Sequence, residues 1–143
     1  MTYQPDDIVE LDVMDYLRRN EHRFFRAGAY DAVELAGMIA TEALTLGAED
    51  VRIRCDGDWL IVSADRDWLE PYGQEVFHTL TPFPEAGVNG VLAEVLAVAC
   101  SAGVATATRA GIRVVKGGTA PRFRLSGQDS GREYAFRRCP GSG

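Results

Sequence analysis

The chain has 143 residues, 46% of them apolar and 25% charged, with a formal net charge of −6. That composition describes one domain, residues 1–143, whose core needs no disulfide or metal staple, and the acidic balance excludes general nucleic-acid binding. No apolar run reaches the roughly 18 residues needed to cross a bilayer, and the polar start MTYQPDDIVELD is unlike a signal peptide. The expectation is a cytoplasmic protein without a membrane partner. Its cysteines, Cys55, Cys100 and Cys139, are odd in number, lack metal-like spacing and read as reduced thiols. Charge is unevenly spread. After Gly103 there are seven arginines and only two acids, Asp129 and Glu133, and Lys116 is the one lysine of the chain. This is either compositional bias or a surface for anions or a partner, since guanidinium groups bind carboxylate and phosphate bidentately.

Taken in order, residues 1–7 form a loose arm, and Ile8, Leu11, Met14 and Leu17 give residues 7–19 a helical period. A second helix spans Tyr30–Leu46, with Asp31 as N-cap and Gly47 as its stop. Val51, Ile53 and Cys55 then alternate with Arg52, Arg54 and Asp56, the period of a half-buried strand. Asp56-Gly57-Asp58 is a hairpin turn leading into a returning strand, Trp59–Ser63. Pro71 breaks the pattern, a short helix covers Gly73–Leu80, and Thr81–Gly87, with two prolines, is a loop. Asn89–Ser101 is apolar nearly all round and predicts a central buried helix. Strands are expected at Val104–Arg109, Ile112–Lys116, Pro121–Leu125 and Arg132–Phe136, the last two paired across the loop SGQDSG. Residues 139–143 end the chain as a flexible tail.

The helix-then-hairpin unit of Tyr30–Asp65 resembles the nucleotide-binding core of the GHKL superfamily, which includes gyrase B, the ninety-kilodalton heat-shock chaperone, histidine kinases and MutL. Gyrase B is the nearest in pattern. Glu42-Ala43-Leu44 is similar to a Glu-Ala-Leu that follows the superfamily's Glu-x-x-x-Asn motif. That register puts Glu34 at the catalytic glutamate and Met38 at the Mg²⁺-binding asparagine. Asp65-Arg66-Asp67-Trp68-Leu69-Glu70-Pro71 then falls on the Asp-x-Gly-x-Gly box, with Asp65 at the adenine acid and Asp67 and Leu69 in place of two glycines. A second register, matching Leu46-Gly47-Ala48 to the helix end of MutL, puts Met38 at the base and Glu42 at the asparagine. Gly87-Val88-Asn89-Gly90 resembles the later glycine box, in which Leu92 replaces the third glycine, and Gly118-Thr119 resembles the late Gly-Thr strand. The lid between Leu80 and Gly87 is only six residues long.

The resemblance implies an α/β (α+β) sandwich of Bergerat type, a mixed, largely antiparallel sheet with helices Tyr30–Leu46 and Asn89–Ser101 on one face. It also implies a ligand pocket formed by Glu34, Met38, Asp65, Arg66, Asn89, Gly90 and Thr119. A thioether is a poor ligand for Mg²⁺, and lost glycines close the approach of backbone amides to phosphate. The expectation is therefore a degenerate GHKL-like protein without ATPase activity, cofactor or metal. It would act as a partner- or small-anion-binding subunit of a heteromeric complex, such as a biosynthetic enzyme, or as a dimer. The alternative is a divergent protein that binds Mg-ATP, of the anti-sigma-factor kinase or gyrase B type.

Overall fold

The computed structural model of the chain describes residues 13–86, 90–125 and 130–137. The expected arm 1–7, residues 7–12 of the first helix, Asn89, most of the SGQDSG loop and the tail 139–143 with Cys139 lie outside those residues. Within them, residues 13–19 are helical (α1), and α2 (Glu21–Phe24), α3 (Ala32–Thr45), β1 (Val51–Asp56) and β2 (Trp59–Ala64) follow. Two 3₁₀ turns, Gln74–Phe77 and Pro84–Ala86, precede α4 (Glu94–Cys100), β3 (Gly103–Thr108), β4 (Gly111–Lys116) and β5 (Arg132–Arg137).

The five strands lie in the order β1-β2-β5-β3-β4, and every neighbouring pair is antiparallel. The sheet of described strands is thus wholly antiparallel rather than mixed, because the late strand β5 slots between two hairpins and runs opposite to both. Leu60 and Val62 of β2, Tyr134 and Phe136 of β5 and Val104 of β3 share one core with Leu35, Ile39 and Ala43 of α3 and Val95 and Leu96 of α4. Register pairs Val62 with Tyr134 and Phe136 with Val104, so these side chains all leave the same face. Both helices therefore pack on that face, as expected of the sandwich.

Local chemistry explains the ends of α3. The Asp31 carboxylate accepts from the amides of Val33 and Glu34, satisfying two free donors of the first turn. Gly47 takes φ +110°, and a Cβ there would stand 3.0 Å from the Arg66 guanidinium, so conformation and packing both select glycine. At the other helix, the Lys116 ammonium and the Arg18 guanidinium donate to the carbonyls of Val98 and Ala99, two cations on the C-terminal turn of α4. The chain's only lysine is thus a helix cap.

Four expectations need correction. The apolar run from Asn89 does not start a helix: residues 90–92 instead pair with 81–83, through Phe83 N–H to Gly90 C=O and Leu92 N–H to Thr81 C=O. With those groups engaged, α4 starts only at Glu94. The Gly73–Leu80 helix shrinks to the 3₁₀ turn Gln74–Phe77. Residues 121–125 form no strand, because β2 and β3 already occupy both edges of β5. Their amides at Arg124 and Leu125 instead donate to the Glu133 carboxylate on the outer face of the sheet. Finally, β1 is an edge strand, where Ile53 is 46% exposed and Cys55 is exposed, while Arg54 is the half-buried member, ion-paired with Glu133.

Candidate functional site: the groove along helix α3

Helix α3 has two working faces. Leu35, Ala36, Ile39, Glu42 and Ala43 recur at the spacing of a buried stripe and face the core. Glu34, Met38, Thr41 and Thr45 succeed one another along an adjoining face and line a groove of about 930 Å³. Phe83, Glu85, Val91 and Ala93, from the paired excursion between the 3₁₀ turn and α4, complete it. The hydroxyls of Thr41 and Thr45 donate back to the carbonyls of Gly37 and Thr41.

Among the described residues, four carboxyl groups lie along this groove, from Asp31, Glu34, Glu42 and Glu85, against one guanidinium, Arg26. Three of the four are committed to structure. Asp31 caps α3. Both oxygens of Glu34 accept from the backbone amide of Arg26, at 3.1 and 3.2 Å, tying the preceding turn to the helix.

Glu42 is only 3% exposed and belongs to a buried polar cluster. Its Oε1 accepts from the Ala93 amide at 2.9 Å, and its Oε2 lies 3.3 Å from Trp68 Nε1. The same indole N–H is 3.0 Å from Oε2 of Glu94, which is fully buried. Burial, and then the charge of Glu94, push the Glu42 carboxyl up to about 11, so it is held as the neutral acid. Tyr134 closes the cluster by donating to the Glu94 carbonyl, and burial raises its phenol well above the ordinary value.

The pocket read from the sequence is divided by the fold. Glu34 and Met38 share the groove, and Gly90 is half-buried next to it, its carbonyl taken by Phe83. Asp65 lies at the opposite end of α3. Its Oδ1 accepts from the Glu49 amide, and the amides of Asp50 and Glu49 hold its carboxyl below the usual range. From Glu34 in the first turn to Thr45 in the last, the helix rises by about 16 Å, which is why Asp65 and Glu34 do not converge. Arg66 packs over Gly47, and Thr119 is exposed beyond β4. Leu69 and Leu92, which the resemblance would align with glycines, are buried core.

The cluster that sequence reasoning passed over is Glu42, Trp68 and Glu94. Two signals pointed to it: Glu42 falls on the apolar stripe of α3, and Glu94 is the only charge in the run Val91–Ala99. Among the described residues no three His, Cys, Asp or Glu side chains gather as a metal-binding group, and no helix is long and apolar enough to cross a membrane. Comparison with protein-family profiles, with curated proteins and with solved structures gives no match.

Proposed function

We propose that this chain is a GHKL-like binding subunit without ATPase activity, which works in a heteromeric complex by seating a protein partner in the α3 groove. The observation that carries the reading is the state of the carboxylates there. Glu34 has both oxygens on the Arg26 amide, and Glu42 is buried and protonated. Glu42 cannot polarise a water as a general base, because a base needs the charged form, and the Arg26 amide fixes the orientation of Glu34 against the turn before the helix. Met38, half-buried in the groove, offers only a thioether where a hard cation needs oxygen.

The groove remains open and chemically selective. Its lining combines apolar atoms of Met38, Phe83 and Val91 with the acids Asp31, Glu34 and Glu85. That pattern suits an apolar side chain flanked by Lys or Arg on the partner, and it disfavours a small anion, whose charge the acids would repel. A heteromeric biosynthetic enzyme is the kind of assembly such a subunit fits.

Two experiments test the reading. The full chain is purified from its native host alongside the variants Met38→Lys and Thr41→Lys, whose side chains are half-buried and exposed in the groove. The partner should be lost from both variants while melting temperature is kept; retention of the same partner by both would overturn the groove assignment. A phosphate-release assay on the isolated chain should match a heat-killed control. Turnover that persists through repeated purification would overturn the non-hydrolysing assignment.

A further inference from the structure

Among the described residues, the helical layer ends before the sheet does. Helix α3 packs on β1 and β2, and α4 meets the start of β3. Among the described residues no helix covers the β3–β4 hairpin to the same extent, and Arg113, on the helix-bearing face opposite Thr106, is exposed. On the helix-bearing face this leaves a cavity of about 480 Å³, walled by the hairpin on one side and the segment from Asp67 to Phe77 on the other. Leu69, Val76 and Phe77 give it an apolar wall whose residues are otherwise buried.

The polar groups of the cavity are unevenly committed. Asp67, the acid at its base, is committed: its two oxygens accept from Arg132 Nε and Nη2 and from the Leu69 amide. Thr106 has its proton committed too, donating to the Glu133 carbonyl and accepting from Arg132 Nη1. Thr108 accepts from the Ala110 amide, which leaves its own hydroxyl proton free to donate. Arg113 pairs with Thr106 across the strands and so projects from the same face, and it has no hydrogen bond or ion pair among the described residues. The remaining carboxylate of the lining, Glu70, is exposed. Beside the apolar wall, then, the cavity presents uncommitted donors, one of them a guanidinium.

We infer that this cavity is a binding site for a small organic carboxylate, its head on Arg113 and Thr108 and its apolar body against Leu69, Val76 and Phe77. A guanidinium fork matches a carboxylate in geometry and charge, and concave sites combine an apolar lining with a few placed polar groups in this way. The inference is independent of the α3 groove, which shares no lining residue with this cavity.

The test is a ¹H–¹⁵N NMR titration of the full chain with benzoate, with benzamide as neutral counterpart and inorganic phosphate as the anion without a body. Benzoate should shift the amides of 73–77 and 106–113 saturably, with benzamide and phosphate each weaker by about tenfold or more, the cost of losing a charge-assisted contact or the apolar contact. Arg113→Gln, at an exposed position, should weaken benzoate by a similar factor, about tenfold, without moving the melting temperature. The inference is overturned if benzoate gives no saturable shift, if benzamide binds as well, if phosphate binds as tightly (an adventitious ion only), or if Arg113→Gln binds benzoate like the parent.

Discussion

Glu42 of α3 and Glu94 of α4 meet at one donor, the Trp68 indole N–H, 3.3 Å from the first carboxyl and 3.0 Å from the second. The other oxygen of Glu94 is buried without an N–H or O–H partner of its own. The proton that Glu42 retains is the donor available to this pair, so it joins the two helices as well as neutralising one of them.

A pH dependence follows. Glu42 has its carboxyl raised from 4.5 to about 11 in the folded chain, so between those values the native state binds more protons than the unfolded state. Unfolding free energy must then fall as pH rises, by up to about 1.4 kcal/mol per pH unit for one proton. Glu133 acts oppositely. Burial alone would raise it, but Arg54, Ser63 and the Leu125 and Arg124 amides outweigh burial and hold it low. Its stabilisation is present above the unfolded value and is lost only as pH falls through the depressed folded one. Between pH 5 and pH 9, by these principles, Glu42 should dominate the slope. Urea unfolding across that range should give a falling midpoint for the parent chain and a flat one for Glu42→Gln; parallel slopes would show that the proton is not there.

Glu42 also illustrates what was legible and what was not. The α3 cap at Asp31, the stop at Gly47 and the β1–β2 hairpin were readable, because each rests on a local pattern of a few residues, while the placement of both helices on one sheet face followed from the order of the elements and their apolar faces. The site was less so. Asp65 and Glu34 are separated by the length of α3, and linear spacing carries no information about which helix end a strand terminus meets. The start of α4 was misplaced because backbone pairing of 81–83 with 90–92 is a contact between segments, and Val91-Leu92 look equally apolar in either conformation. Glu42 could have been found, since a charged residue on a buried stripe is a functional or structural signal in itself.

Breaking the ion pair on the outer face should be costly. Glu133 is 2% exposed and takes Arg54, Ser63 and two backbone amides. Arg54→Ala leaves that carboxylate buried without its cation and should destabilise the fold by about 3–5 kcal/mol. Arg52→Ala, two residues away on the same strand and solvent-exposed with its partner Asp50, should cost less than about 1 kcal/mol. Equal losses in chemical denaturation would argue against the buried pair.

Glu34→Ala should lower stability rather than act on chemistry alone. Removing both acceptors of the Arg26 amide should cost about 0.5–1.5 kcal/mol and speed hydrogen exchange at that amide. Glu34→Gln keeps one acceptor oxygen and should recover part of the loss. An Arg26 amide with unchanged protection in Glu34→Ala would mean that the carboxylate does not hold that amide in solution.

Placing an asparagine at position 38 should not create nucleotide binding. Met38→Asn would place an amide oxygen at the position where the GHKL resemblance expects it, on the groove face of α3. The other requirements stay unmet, for physical reasons tied to particular residues. Glu34 remains on the Arg26 amide, Asp65 remains at the far end of α3 on the Glu49 amide, and Leu69 and Leu92 remain buried in the core, where glycines would have left room for phosphate. Three acids along the groove, Asp31, Glu34 and Glu85, would further repel a triphosphate. A ligand at a hundred times its dissociation constant stabilises a fold by about 2.7 kcal/mol, a change easily read in a thermal melt. Met38→Asn and the parent chain should both melt at the same temperature with and without millimolar Mg-ATP. A rise specific to Met38→Asn would mean that the groove lacks one ligand atom and is otherwise an intact nucleotide site.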